Sequence, residues 1–145
     1  MITVREILAN KGSDVVSVNK EATVLEAALV MNEHHVGAVV VIEESQIVGM
    51  FSERDILRRV VAERRDPLTT RVAEVMTTKV ICCRPDTSLE EARGAMKNRR
   101  IRHLPVVDGD NHLRGLVSIG DLNAYQATAQ EQTIYLMTEY LYGRV

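Results

Sequence analysis

Gly49-Met50-Phe51-Ser52-Glu53-Arg54-Asp55 decides the fold, because the chain carries it twice. The second copy is Gly115-Leu116-Val117-Ser118-Ile119-Gly120-Asp121, 66 residues further on. Both read Gly-apolar-apolar-Ser-x-x-Asp, each after an apolar run and before a helical pattern. Alone, Ser-x-x-Asp is a capping box: the Ser oxygen accepts an orphan N–H of the first helical turn, and the Asp reaches back. Two copies at matched places in a chain of 145 residues mark an internal duplication.

The flanking segments repeat as well. Val4-Arg5-Glu6-Ile7-Leu8, with apolar residues at helical spacing, returns as Val72-Ala73-Glu74-Val75-Met76. The short strand predicted at Val15-Val16-Ser17-Val18 has its counterpart in Val80-Ile81-Cys82-Cys83. Thr23 and Ser88 stand at helix N-cap positions, each with an acid three residues later. Their helices run to His34-His35 and to Arg99-Arg100, with Leu25, Ala28 and Met31, and Leu89, Ala92 and Met96, expected to face inward. Strands follow at 36–42 and 101–107, then at 47–51 and 113–117. From the short strand at Val15 to the first of these strands the spacing of the copies is 65 residues, and it is 66 after Gly109-Asp110-Asn111. One extra residue in a hairpin turn leaves the strands in register.

Each repeat therefore reads β-α-β-β-α over about 60 residues, too few to bury a comfortable core alone. The expected fold is α/β (α+β), with two repeats packed sheet to sheet about a pseudo-twofold axis. The predicted boundaries are a first repeat at 1–62, a polar linker at 63–71 broken by Pro67, a second repeat at 72–124 and a helical tail at 125–145. That tail holds all four tyrosines, and its stripe of Ile134, Met137 and Leu141 needs a surface to pack on.

The composition, 46% hydrophobic and 26% charged, is that of a soluble globular protein. A net charge of -2, one Phe and no Trp argue against a nucleic-acid binder, which needs basic surface and stacking aromatics. The cations are 14 Arg against 4 Lys, which suits planar contacts to phosphate or carboxylate. Cys82 and Cys83 are adjacent, so in an extended segment they point to opposite faces and are poorly placed to bridge each other. A reducing, cytoplasmic setting is expected, with no signal peptide and no apolar run near 18 residues. No Gly-x-Gly-x-x-Gly, phosphate-loop Gly-Lys-Ser/Thr, His-Glu-x-x-His or nucleophile elbow is present, so no enzyme is expected.

Assembled in order, these residues resemble a tandem pair of cystathionine-β-synthase (CBS) domains, a Bateman module. The resemblance covers about residues 1–124 and rests on the duplicated Gly-h-h-Ser-x-x-Asp, on Ile101-Arg102-His103-Leu104-Pro105-Val106-Val107, and on Met76-Thr77 opening the second copy. Ser52-Glu53-Arg54-Asp55 and Arg102-His103-Leu104-Pro105 are most similar to small stand-alone bacterial proteins of that family. The resemblance implies a regulatory module that binds an adenosine-containing ligand (AMP, ADP, ATP, NAD(H) or S-adenosylmethionine) between the repeats. It also implies homodimers forming a flat four-CBS disk, acting on an unknown regulated protein.

The candidate ligand residues follow from the chemistry of such a ligand. A carboxylate accepts both ribose hydroxyls, a role the family gives to the motif positions held by Asp55 and Asp121. Helix N-termini at Ser52 and Ser118 are candidate phosphate cradles. The strand Arg102-His103-Leu104-Pro105 supplies backbone for the adenine edge, as does 36–39, while Val16, Met50, Ile81 and Leu116 supply apolar walls. Arg100, Arg102 and His103, joined by Arg99, form a cationic cluster suited to phosphates, with Arg54 and Lys79 as further cations. Gly37 and Ala38 stand where the second copy has Arg102 and His103, so the Asp121 cleft is expected to be the more dependable nucleoside site. The Asp55 cleft is expected to hold a second nucleotide or the far half of a dinucleotide. A ligand-free dimerisation scaffold is the rival reading, since capping boxes and an apolar tail explain themselves structurally.

Overall fold

The computed structural model describes residues 2–126. The part of the predicted tail beyond Gln126, with the Ile134, Met137 and Leu141 stripe, lies outside the described residues. The chain runs α1 (Val4–Lys11), β1 (Ser17–Asn19), α2 (Val24–His34), β2 (Ala38–Glu43), β3 (Gln46–Ser52) and α3 (Glu53–Asp55), which widens into a π-helical stretch at Ile56–Val61. The second half runs α4 (Val72–Val75), α5 (Leu89–Arg99), β4 (His103–Val107), β5 (Leu113–Ser118) and α6 (Ile119–Gln126).

The duplication survives in detail. Thr23 and Ser88 each close a full capping box, with Glu26 and Glu91. Helices α2 and α5 both end on a left-handed residue, His35 at φ 54° and Arg100 at φ 55°. Leu89, Ala92 and Met96 are buried as expected, but the matching inward stripe on α2 is Val24, Ala27 and Met31. Leu25 instead faces out with Leu29, and Ala28 is only half-buried, because capping by Thr23 makes Val24 the first helical residue, as Leu89 is after Ser88.

In the first repeat β1 pairs parallel with β2, and β2 antiparallel with β3; in the second, β4 pairs only with β5 as a named strand. The strand expected at Val80-Ile81-Cys82-Cys83 shrinks to one parallel bridge, Cys83 to Val106. The cause is Pro105. In the first repeat the Val40 N–H donates to the Val16 carbonyl at 3.2 Å; Pro105 holds the matching place and has no N–H for Ile81.

Both faces of β2 are covered. Val39 and Val41 belong to the core beneath α2, while Val40, which alternation turns the other way, is also fully buried. Gln46 bridges His112, its own repeat mate, so the pseudo-twofold axis passes between them.

The repeats exchange their opening segments. Val4 and Ile7 of α1 complete the core built on Leu89, Met96, Leu104 and Leu122, whereas Val72 and Val75 of α4 complete the core around Val24, Met31, Val39 and Phe51. Three backbone bonds recur on each side of the exchange. Val4 N–H to Thr87 (2.9 Å), Arg5 N–H to Pro85 (2.9 Å) and Leu89 N–H to Ile2 (3.2 Å) match Val72 to Ala22 (2.8 Å), Ala73 to Lys20 (3.0 Å) and Val24 to Thr70 (2.9 Å). Each core is thus finished by the opening helix of the other repeat, which locks the two halves into one cooperative body.

Candidate functional site

The exchanged segments explain the repeated glycine. A Cβ on Gly49 would lie 2.6 Å from Met76 Sδ and 2.9 Å from the Thr77 carbonyl; one on Gly115 would lie 2.7 Å from Leu8 Cδ2. Both Ser-x-x-Asp motifs form complete capping boxes. Asp55 N–H donates to Ser52 Oγ at 3.2 Å and Ser52 N–H to Asp55 Oδ2 at 3.0 Å; for Asp121 and Ser118 the distances are 3.1 and 2.8 Å. The next N–H is taken too, Glu53 by the Gly37 carbonyl and Ile119 by the Arg102 carbonyl, both at 2.9 Å. The N–H groups expected to act as phosphate cradles at Ser52 and Ser118 are therefore largely satisfied from within, which leaves side chains as the groups available to an anion.

Those side chains meet in a cavity of about 470 Å³ between the repeats. The first repeat gives it Met50, Ser52, Glu53, Arg54 and Asp55, with Gly37 and Ala38 at the start of β2. From the second come Thr77, Lys79, Val80 and Ile81, then Arg100, Ile101, Arg102, His103 and Pro105. The missing strand pairing at Pro105 leaves Val80 and Ile81 on the wall. Four cations, Arg54, Lys79, Arg100 and Arg102, face two carboxylates, Glu53 and Asp55.

Ten of the sequence-expected ligand residues are brought together there: Met50, Ser52, Arg54, Asp55, Lys79, Ile81, Arg100, Arg102, His103 and Pro105. Asp121, Ser118, Val16 and Leu104 lie outside that lining. Leu104 is fully buried in the second core, and Val16 packs against the first. The cations of the second strand, expected from the sequence to favour the Asp121 cleft, line the cavity that holds Asp55. Glu53 and Thr77 belong to the lining without having been singled out; the place of Thr77 follows from the exchange, since it pairs with Met50 through two backbone bonds of 2.9 Å.

The two motif carboxylates differ in what the exchanged segment brings them. Thr77 Oγ1 is 3.5 Å from Asp55 Oδ1, and Arg59 Nε stands 3.8 Å from the same oxygen. Asp121 Oδ2 instead receives Lys11 Nζ at 2.7 Å, a residue that carried no signal in the sequence because it reaches Asp121 only through the exchange. Burial pushes the Asp121 carboxyl up, but Lys11 and the Ser118 N–H outweigh it and hold it below the usual range. Burial pushes the His103 imidazole down, helped by Lys11 and Arg102 and opposed by Asp121, so it is neutral at pH 7. Arg59 spans to α4 and donates to the Val75 and Met76 carbonyls at 3.3 and 3.0 Å.

The family model for the CBS domain matches residues 1–62 and again 72–127. The chain belongs to the CBS domain family. As a CBS pair it is 42% identical over 114 residues to the CBS domain-containing protein YhcV of Bacillus subtilis, covering 79% of this chain and 80% of that one. A solved CBS-domain protein from Burkholderia ambifaria has 40% identity and a TM-score of 0.82, over 88% of this chain and 96% of that one. The CBS domain pair of protein MJ0100, solved with 5′-methylthioadenosine and S-adenosylmethionine, shares the fold at 22% identity and a TM-score of 0.76, over 86% of this chain and 95% of that one. Among the described residues no helix is long and apolar enough to cross a membrane.

Proposed function

We propose that this CBS pair is a non-catalytic regulatory module that binds a phosphorylated adenosine ligand in the Asp55 cleft. The carrying observation is the cavity of about 470 Å³ that sets one nearly buried carboxylate, Asp55, among Arg54, Lys79, Arg100 and Arg102. Asp55 Oδ1 lies outside the capping box and is the acceptor for the ribose hydroxyls. The four cations suit AMP, ADP, ATP or NAD(H) better than the sulfonium of S-adenosylmethionine, although protein MJ0100 was solved with that ligand. Pro105 and Ile81 wall the adenine. A ligand held by both repeats changes their relative angle, and a partner protein reads the change through its different affinity for the two states. The protein acts in the cytoplasm as a homodimer, and Leu29, Leu57 and Val61, each more than half exposed, supply apolar surface for the contact.

Thermal unfolding with AMP, ADP, ATP, NAD, NADH and S-adenosylmethionine, on protein stripped of co-purified nucleotide, tests this. Ligand at 100 times its Kd adds about 2.7 kcal/mol, a shift of roughly 5–10 °C at this size. The expected result is a shift with a phosphorylated ligand that Asp55→Ala and Arg102→Ala both remove. The dimerisation scaffold is favoured by the completeness of both capping boxes, and no shift with any of the six would establish it instead.

A further inference from the structure

We propose that Lys11 is a built-in occupant of the second cleft, so that one chain takes one adenosine ligand rather than two. The inference rests on the ligand reading above. By the pseudo-twofold, Leu116 and Asp121 match Met50 and Asp55, and in both halves the exchanged segment satisfies the carbonyl of the first and an oxygen of the second. The first half uses Thr77, whose N–H donates to the Met50 carbonyl at 2.9 Å and whose hydroxyl touches Asp55 Oδ1 at 3.5 Å. The second half uses an ammonium: Lys11 Nζ donates to the Leu116 carbonyl at 2.9 Å and to Asp121 Oδ2 at 2.7 Å.

The difference follows from local structure. Helix α4 ends at Val75, so Thr77 arrives extended and pairs as a strand, whereas α1 stays helical to Lys11 and can deliver only a side chain. Val4 and Ile7, 0% and 2% exposed, anchor α1, and Leu8 lies against Gly115, which sets the base of the Lys11 side chain within reach of Asp121. Among the described residues Asp55 Oδ1 has only long contacts, the Thr77 hydroxyl at 3.5 Å and Arg59 Nε at 3.8 Å, which a ribose diol can displace. An ammonium 2.7 Å from Asp121 Oδ2, the oxygen that also closes the capping box, offsets the charge of that carboxylate and stands beside the oxygen a diol would use. Lys79, which matches Lys11 at the spacing of Val4 and Val72, lines the open cavity with no ion pair among the described residues. The same residue type thus fills one cleft and serves the ligand in the other.

Equilibrium dialysis with ATP and with AMP, counting ligand per chain, tests the inference on wild type, Lys11→Met, Lys11→Gln and Asp55→Ala. Both Lys11 variants keep most of the length of the side chain without its charge, and circular dichroism checks that each is folded. The expected counts are one for wild type, none for Asp55→Ala, and two for each Lys11 variant, the second site tightening at least about fivefold over its strength in wild type. One ligand in wild type that the Lys11 variants leave at one, or two already in wild type, would overturn the role of Lys11 while leaving the ligand reading intact. No binding by any of the four proteins overturns both.

Discussion

Val40 donates its N–H to the Val16 carbonyl at 3.2 Å, and Pro105, at the matching place in the second repeat, has no N–H to give Ile81. One missing donor turns a three-stranded sheet into a two-stranded one and leaves 80–82 outside any strand, with Val80 and Ile81 lining the cleft. The two repeats share the order of their helices and hairpins and differ in chemistry for this reason, together with Lys11.

Pro105→Val restores the donor. The amide created at position 105 is expected to bond to Ile81, to be protected from hydrogen exchange, and to draw the wall inward. Affinity for the ligand that binds wild type is expected to fall about tenfold, equivalent to about 1.4 kcal/mol. Rapid exchange at position 105 would show that Ile81 stays apart for another reason.

Gly49→Ala and Gly115→Ala look alike in the sequence and are expected to differ in cost. At Gly49 the new methyl meets the Thr77 carbonyl, fixed in a two-bond bridge, so overpacking should cost about 1–3 kcal/mol and lower Tm by roughly 3–10 °C. At Gly115 it meets the two methyl ends of Leu8, which can turn aside, so a loss under about 1 kcal/mol is expected. Equal losses would mean that the exchanged segments are held with equal stiffness.

The duplication, the order of elements and the strand positions of each hairpin were legible because a period of 65 to 68 residues shows most elements twice. Where the two copies disagreed about a helix face, the offset from Leu89 already pointed to Val24 and not Leu25. The exchange was not legible: α1 and α4 are near-copies, and each fits either core equally well on pattern alone. Hence Lys11 beside Asp121 and Thr77 beside Asp55 could not be read, since both juxtapositions exist only once the segments have crossed. The cations of the second strand were visible, but the carboxylate they share a cleft with belongs to the other repeat.

Cys83 is buried in the second core, and burial, aided by the neighbouring Cys82, pushes its thiol up to about 12. At pH 8 roughly one in ten thousand such thiols is ionised. Cys83 should therefore resist iodoacetamide for as long as the protein is folded, while half-buried Cys82 reacts first and slowly. Mass spectrometry after a timed pulse, with and without denaturant, gives the order. Early labelling of Cys83 in the native protein would mean that the second core opens locally.

The imidazole of His103 supplies a pH dependence whose sign is fixed. Burial lowers its affinity for a proton, Lys11 and Arg102 lower it further, and Asp121 only partly opposes them. The unfolded chain, with an ordinary histidine near 6.5, takes up the proton first, so acid favours unfolding. Stability from a neutral His103 is therefore complete above about pH 6.5 and is lost progressively as the pH falls below it. His103→Gln keeps a polar side chain without the titration. Wild type should consequently lose more Tm than the variant between pH 7 and pH 5, with the two curves parallel above pH 7. Parallel curves throughout would show that His103 is protonated as easily in the folded protein as in the unfolded chain. A wild type that gained stability in acid would place an anion beside the ring, and a phosphorylated ligand retained through purification would then be the first thing to look for.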